Sequence, residues 1–254
     1  MSNVSRRTVA KGAAWATPLV LASTTIPTYA ASQDICASTS PTSITWSRFT
    51  RTQPVAAYGS SSLTGSVLAN NGSTTLSISH TSATGPALSN SQDMIPKGHV
   101  SSTVTWNTYS GMSDYLYFQH LGSGYNGYSG GSQNSTITIS FSQPVTNFKF
   151  TIGDVDQAST WLDVLKVSGT LKGQPTTAAP TVSGGATHVT SGTQVTSTAT
   201  LSSLPPAATS GNVQYTFAEP VDSITINWTN GSGRSGAQNI VLGATTFDVC
   251  QAAS

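Results

Sequence analysis

Apolar residues fall on every second position of Ser135-Thr136-Ile137-Thr138-Ile139-Ser140-Phe141, and no other feature of the chain limits its fold so strongly. A period of two places Ile137, Ile139 and Phe141 on one side of an extended backbone and the hydroxyls on the other, whereas a helix would scatter both. The pattern recurs at 74–79, 101–106, 115–118, 162–167 and 223–228, with Gly, Asn, Ser and Pro clusters between the runs. Composition explains what solvates the outer side. Charged residues make up 7% of the chain, against about 25% in ordinary soluble domains, while Ser and Thr account for 79 of the 254 residues. A surface helix needs Glu, Lys, Arg, Gln and Ala; Thr, Val, Ile and aromatics suit a pleated, half-buried surface. Many short strands with no helical pattern between them predict an all-β chain, an antiparallel two-sheet β-sandwich of jelly-roll type.

One motif occurs twice. Phe141, Pro144 and Val145 match Phe217, Pro220 and Val221 at an offset of 76, and apolar residues recur at 148, 150, 152 and again at 224, 226, 228. Each copy reads as a strand, a Pro that interrupts ladder hydrogen bonding, and a second strand; the Pro marks a bend where the chain changes sheets. Residues 171–211, rich in Thr, Ala, Ser, Gly and Pro, read as two or three short polar strands with long turns, a disordered segment being the alternative.

The N-terminus carries Ser5-Arg6-Arg7-Thr8-Val9-Ala10-Lys11, then an uncharged stretch, then small residues ending at Ala30. That order resembles twin-arginine export signals, which implies cleavage after Ala30 and leaves 31–254 as the mature domain. Thr17, Pro18, Ser23, Thr24, Thr25 and Pro27 interrupt the stretch, which argues against a membrane-spanning helix of about 20 apolar residues. Cleavage removes Arg6, Arg7 and Lys11 from ten basic residues and none of the nine acidic ones, so seven face nine and the net charge is −2. With no basic cluster left, nucleic acid is excluded as a partner. The two cysteines, Cys36 and Cys250, stand near the ends of the mature chain. In an exported protein they predict one disulfide and hence neighbouring first and last strands, with two separate buried thiols as the alternative.

The block 137–250 contains Phe-x-x-Pro-Val-x-x-Phe-x-Phe-x-Ile-Gly-Asp-x-Asp, then Asp163-Val-Leu-Lys-Val-Ser-Gly, a second Pro-Val strand and Thr246-Phe247-Asp248-Val249-Cys250. It resembles a β-sandwich module of secreted actinobacterial surface proteins. The resemblance implies the fold and an extracellular or loosely wall-associated location, since no Leu-Pro-x-Thr-Gly sorting motif or apolar C-terminal tail accompanies it.

Candidate sites come from the rarest residue types. Asp154, Asp156 and Asp163 gather three of the nine acids; they suit either a structural Ca²⁺, which takes six to eight oxygens, or turn chemistry in which carboxylates accept local N–H groups. Tyr125, Asn126 and Tyr128, in a Gly-rich stretch, suit sugar recognition, with rings on apolar pyranose faces and the amide on hydroxyls. Tyr115, Tyr117 and Phe118 read as core packed between sheets. Gly127-Tyr128-Ser129-Gly130-Gly131 matches the Gly-x-Ser-x-Gly pattern, but a nucleophile elbow runs from strand into helix and the residues from Gln133 onward read as strand. His80, His99, His120 and His188 lack metal-ligand spacing and read as ordinary residues. The expectation is a secreted, non-catalytic binding or adhesion module for cell-surface glycan. The alternatives are a secreted glycan-active enzyme or serine hydrolase, and a purely structural surface protein.

Overall fold

The computed structural model describes residues 36, 38–52, 62–82, 93–96, 110–120, 134–159, 161–172, 178–185, 188–198, 208–231 and 238–251. These contain fifteen strands and one short 3₁₀ turn at Trp46–Arg48. In chain order the strands are β1 Ser38–Ser43, β2 Thr50–Arg51, β3 Ser62–Leu68, β4 Thr75–Ser82, β5 Ile95–Pro96, β6 Tyr115–His120, β7 Asn134–Gly153 and β8 Gln157–Ala158. Then follow β9 Trp161–Thr170, β10 Thr181–Gly184, β11 His188–Ser191, β12 Gln194–Ser197, β13 Val213–Phe217, β14 Val221–Asn230 and β15 Gln238–Gln251. Every strand pairing among the described residues is antiparallel. The expected runs at 115–118, 135–141, 162–167 and 223–228 are all strand, that at 74–79 is strand from Thr75, and 101–106 lies outside the described residues. The polar stretch 171–211 supplies three short strands, β10, β11 and β12.

The organising element is β7, twenty residues long with Pro144 inside it. Before the proline it lies between β4 and β14; after it, between β13 and β15. Pro has no N–H to give the ladder, and here the register breaks: residues 141–144 are opposed by Asp222 alone, between the pairs Ser140↔Ser223 and Val145↔Val221. The second Pro-Val copy is spread over β13 and β14, and the copies interlock. The first part of β7 pairs with β14, and β13 pairs with the second part of β7. Instead of two separate sheets, the hydrogen bonds form one continuous network, because β7 passes from one set of neighbours into the other.

The bend turns both sets toward a common core. Phe141 and Phe148, on either side of Pro144, meet edge to face with ring centroids 4.9 Å apart, and Phe150 stacks on Tyr215 at 5.3 Å. Leu76, Ile78, Ile137, Ile139, Ile226 and Trp228 from the first set join Phe118, Phe148, Phe150, Tyr215 and Phe247 from the second in one buried cluster. Each such side chain contributes about 1.5–3 kcal/mol by leaving water. Burial of β6 departs from expectation. Leu116 and Phe118 face this core as the alternation requires, but Tyr115 and Tyr117 point the other way into a smaller cluster with Met112 and Val241. Gly243 makes room for that cover, since a Cβ there would collide with Met112.

The outer face of the first set is built from hydroxyls in register. Thr64, Ser79, Thr138, Thr225 and Ser168 form one row across β3, β4, β7, β14 and β9. Beside it Thr50, Ser66, Ser77, Ser140, Ser223 and Thr170 form another, beginning on β2. Serine and threonine thus do on this face what charged residues do elsewhere. The disulfide joins Cys36 to Cys250 with Cα atoms 4.3 Å apart, and β1 lies along the end of β15, so first and last strands are neighbours as expected.

Candidate functional site

Strand ends meet at the side of the molecule remote from Pro144. Ser82 of β4 opposes Ser135 of β7, Thr229 of β14 opposes Asn134, and Asn230 opposes Asp163 of β9. In the second set Gln238 of β15 opposes His120 of β6. A hydrogen bond ties the two sets together there, from Gln238 Nε2 to Asp163 Oδ1 at 2.7 Å.

Asp163 is the centre of this polar end. It is 1% exposed, and its oxygens accept three N–H groups: the Trp228 indole at 2.9 Å, the Gln238 amide at 2.7 Å and the Asp156 backbone at 3.1 Å. The Asp163 backbone N–H returns to the Asp156 carbonyl at 3.0 Å, and Asp156 Oδ1 accepts the Trp161 indole at 2.7 Å. Burial raises the pKa of Asp163 well above the usual carboxylate range; the Trp228 bond opposes this, and the nearby Asp156 and Asp154 charges add to it. Asp154 is buried with a left-handed φ of 64°, which Asp tolerates better than most residues. The three acids therefore do come together: Asp156 and Asp163 accept N–H groups, and Asp154 lies near enough for its charge to act on Asp163. Among the described residues, no group of three or more His, Cys, Asp or Glu is arranged to hold a metal ion. The N–H contacts that the turn reading asks for are present at Asp156 and Asp163.

A second buried pair lies alongside. His80 Nδ1 and Asp93 Oδ2 are 2.7 Å apart, both side chains fully buried. Asp93 Oδ1 accepts the backbone N–H groups of Met94 and Gln119, each at 2.9 Å, and Arg51 Nη1 donates to the Asp93 carbonyl at 2.9 Å. The His80 ring stacks on Trp228 and meets the edge of Phe118. Its Nε2 has no hydrogen-bond partner among the described residues. Sequence reasoning placed His80 among ordinary residues and missed Asp93. A signal existed: His80 sits at the inward parity of Leu76, Ile78 and Ser82, and an inward imidazole needs a polar partner. His188 is structural, its two ring nitrogens lying against the carbonyls of Gly185 and Val155.

Tyr125, Asn126, Tyr128 and Ser129 lie outside the described residues, between the ends of β6 and β7. Comparison with protein-family models, curated proteins and solved structures finds no match for this chain.

Proposed function

We propose that this protein is an exported, non-catalytic binding module of the cell exterior whose partner is a polysaccharide. The observation that carries the reading is where the carboxylates go. Asp93, Asp114, Asp156, Asp163 and Asp222 all accept N–H groups of the protein itself. Asp163, although burial raises its pKa, is out of reach of a substrate, whereas a glycosidase acid and its partner must flank the scissile bond. What faces outward is mostly hydroxyl and amide, the chemistry that suits a polyhydroxylated ligand. Tyr125, Asn126 and Tyr128, between the ends of β6 and β7, supply rings and an amide for such contacts. The export address, 1–30, is of the twin-arginine kind, and a terminal disulfide is compatible with an oxidising exterior. The same reading takes the two sets of strands as layers of a sandwich, supported by the contact of His80 on β4 with Phe118 on β6.

One observation favours a second reading. A carboxylate on Nδ1 of an imidazole fixes the tautomer in which Nε2 can take a proton, and His80 with Asp93 has that arrangement. With Ser129 as nucleophile this would be a serine hydrolase. A polysaccharide-array screen of the secreted protein separates the two. Under the binding reading, Tyr125→Ala and Tyr128→Ala each lower affinity by about 1–3 kcal/mol, Ser129→Ala changes nothing, and the mature protein begins at Ala31. Hydrolysis of an ester or peptide that disappears in Ser129→Ala, with no polysaccharide bound, would overturn it.

A further inference from the structure

The outer face of the second set differs from the hydroxyl face of the first. In register across β10, β13, β7, β15 and β1 stand Thr181, Thr216, Lys149, Thr246 and Ser43. With strands about 4.8 Å apart, this polar row spans roughly 19 Å. Beside it, Asn147 donates from Nδ2 to Asp248 Oδ2 at 2.8 Å. Ser43, Asn147, Lys149, Thr216, Thr246 and Asp248 line a groove of about 540 Å³, within the range of about 300–1,000 Å³ typical of small-ligand sites.

The backbone is shaped to make that hollow. The ladder between β7 and β15 loses register twice, between Gly243 and Thr246 and between Thr246 and Asp248. Ala244 and Asn147 take positive φ angles of 44° and 49°, a conformation that costs an alanine about 1–2 kcal/mol. Bulges and left-handed non-glycine residues persist where surrounding structure holds them, and they gather at binding sites. One wall of the groove is Pro41, Thr42 and Ser43 of β1, held against β15 by its ladder and the adjacent disulfide.

We propose that this groove is a saccharide site, taking a neutral polyhydroxylated chain laid across the strands. The lining contains one cation, Lys149, and one anion, Asp248, so no net charge selects an ionic ligand. Asp248 accepts from ligand hydroxyls, Lys149 and Asn147 donate to them, and the threonine hydroxyls do either. A row of such groups at strand spacing fits a polymer that repeats its hydroxyls along its length. The inference rests on the polysaccharide-binding reading and adds a contact surface at the Pro144 side.

The test is affinity electrophoresis of the mature protein in gels containing soluble neutral glucans, neutral mannans or an anionic polyuronate. Variants are Asp248→Ala, Lys149→Ala and Asn147→Gly, the last keeping the left-handed backbone that glycine favours; Thr138→Ala on the opposite face is the control. Thermal unfolding of each variant confirms folding. The expected result is retardation by a neutral polymer, weakened about tenfold in each groove variant, a change equal to about 1.4 kcal/mol, and unchanged in Thr138→Ala. Retardation equal in groove variants and wild type overturns the groove and leaves the polysaccharide reading standing. Retardation by the polyuronate alone, lost with Lys149→Ala, overturns the neutral ligand. No retardation in any gel overturns the polysaccharide reading and the groove with it.

Discussion

Two outer faces are built on the same strand. Along its first part β7 contributes Thr138 and Ser140 to rows of hydroxyls that keep register across β3, β4, β14 and β9. Along its second part it contributes Asn147 and Lys149 to a face where β15 slips register twice. Regular pairing leaves the first face without relief, because each residue has one opposite neighbour and the side chains stand at even spacing. Slipped pairing bends β15 and re-aims its side chains, and a hollow follows. Charge is present on both faces: Lys149 and Asp248 stand in the hollow, while Lys166 stands in the row that runs through Asn227 and Thr136.

The two halves also differ in what holds them, and the largest expected effect exploits this. The disulfide closes a loop with a sequence separation of 214 residues, so its loss in Cys36→Ala lowers stability by on the order of 5 kcal/mol in the loop-entropy model. The global loss is read by urea unfolding. The comparison is read by hydrogen exchange in the native state. Among the described residues β1 pairs as a strand only with β15, and the disulfide stands beside it, so amides of β1 and of 246–251 should lose protection in the variant while those of β9 and β14 follow the global change. Uniform loss over all strands would break the contrast between the halves.

How much of this could be read from the chain follows from which forces are local. Alternation at 135–141 and 223–228 shows directly as β7 and β14, because a side-chain period of two depends only on the strand itself and one buried side. The Pro-Val copies told of a bend, since a missing N–H is a property of one residue. That the copies would interlock, β13 on the second part of β7 and β14 on the first, is a matter of long-range pairing that no local pattern encodes. The same holds for the site. Asp154, Asp156 and Asp163 stood out as a cluster, but calcium and N–H acceptance ask for the same residue type. Two of the N–H groups that Asp163 accepts come from Trp228 and Gln238, 65 and 75 residues away, and no local pattern foretells them. Tyr115 and Tyr117 are buried as core residues, but on the other side of β6 from Leu116 and Phe118; alternation says which residues share a side and is silent on whether the other side is covered too.

A smaller effect concerns the polar end where the two halves are joined. Asp163 has a folded pKa above its unfolded value of about 3.8, so over the interval between the two the folded chain holds more protons than the unfolded one. Stability then falls as pH rises through that interval, by about 1.4 kcal/mol for each unit separating the two values, and it is greatest below the unfolded pKa. Urea unfolding across the acidic range should show this slope in the wild type and its flattening in Asp163→Asn. A slope that survives the substitution would place the proton elsewhere. In the same preparation EDTA should leave the melting temperature unchanged; a fall reversed by calcium would restore the metal reading, since a ligand of the native state stabilises it.

The smallest expected effect is on the hydroxyl face. Ser77, Ser140 and Ser223 are consecutive members of one row, and their side chains point to water. If the hydroxyls only solvate the sheet, replacing all three by valine should change unfolding free energy little, each exposed site lying within about 0.5 kcal/mol; the higher strand propensity of valine pushes toward stabilisation. Cross-strand contacts such as Thr136 Oγ1 to Asn227 Oδ1 at 3.2 Å are untouched by this choice. What should change is association. Three adjacent valines convert a neutral, wettable strip into an apolar one, and contiguous exposed apolar surface drives self-association. Sedimentation at rising concentration should therefore show the triple variant forming dimers or larger species at concentrations where the wild type stays unassociated. The matching change on the other face, Thr216→Val with Thr246→Val, should have less effect on association, because Lys149 stands between those two residues in the row and an ammonium keeps the strip wet. Equal association from both faces would show that the hollow and its charges do not set them apart, and a loss of several kcal/mol from the serine row would mean that its hydroxyls hold the strands together instead of solvating them.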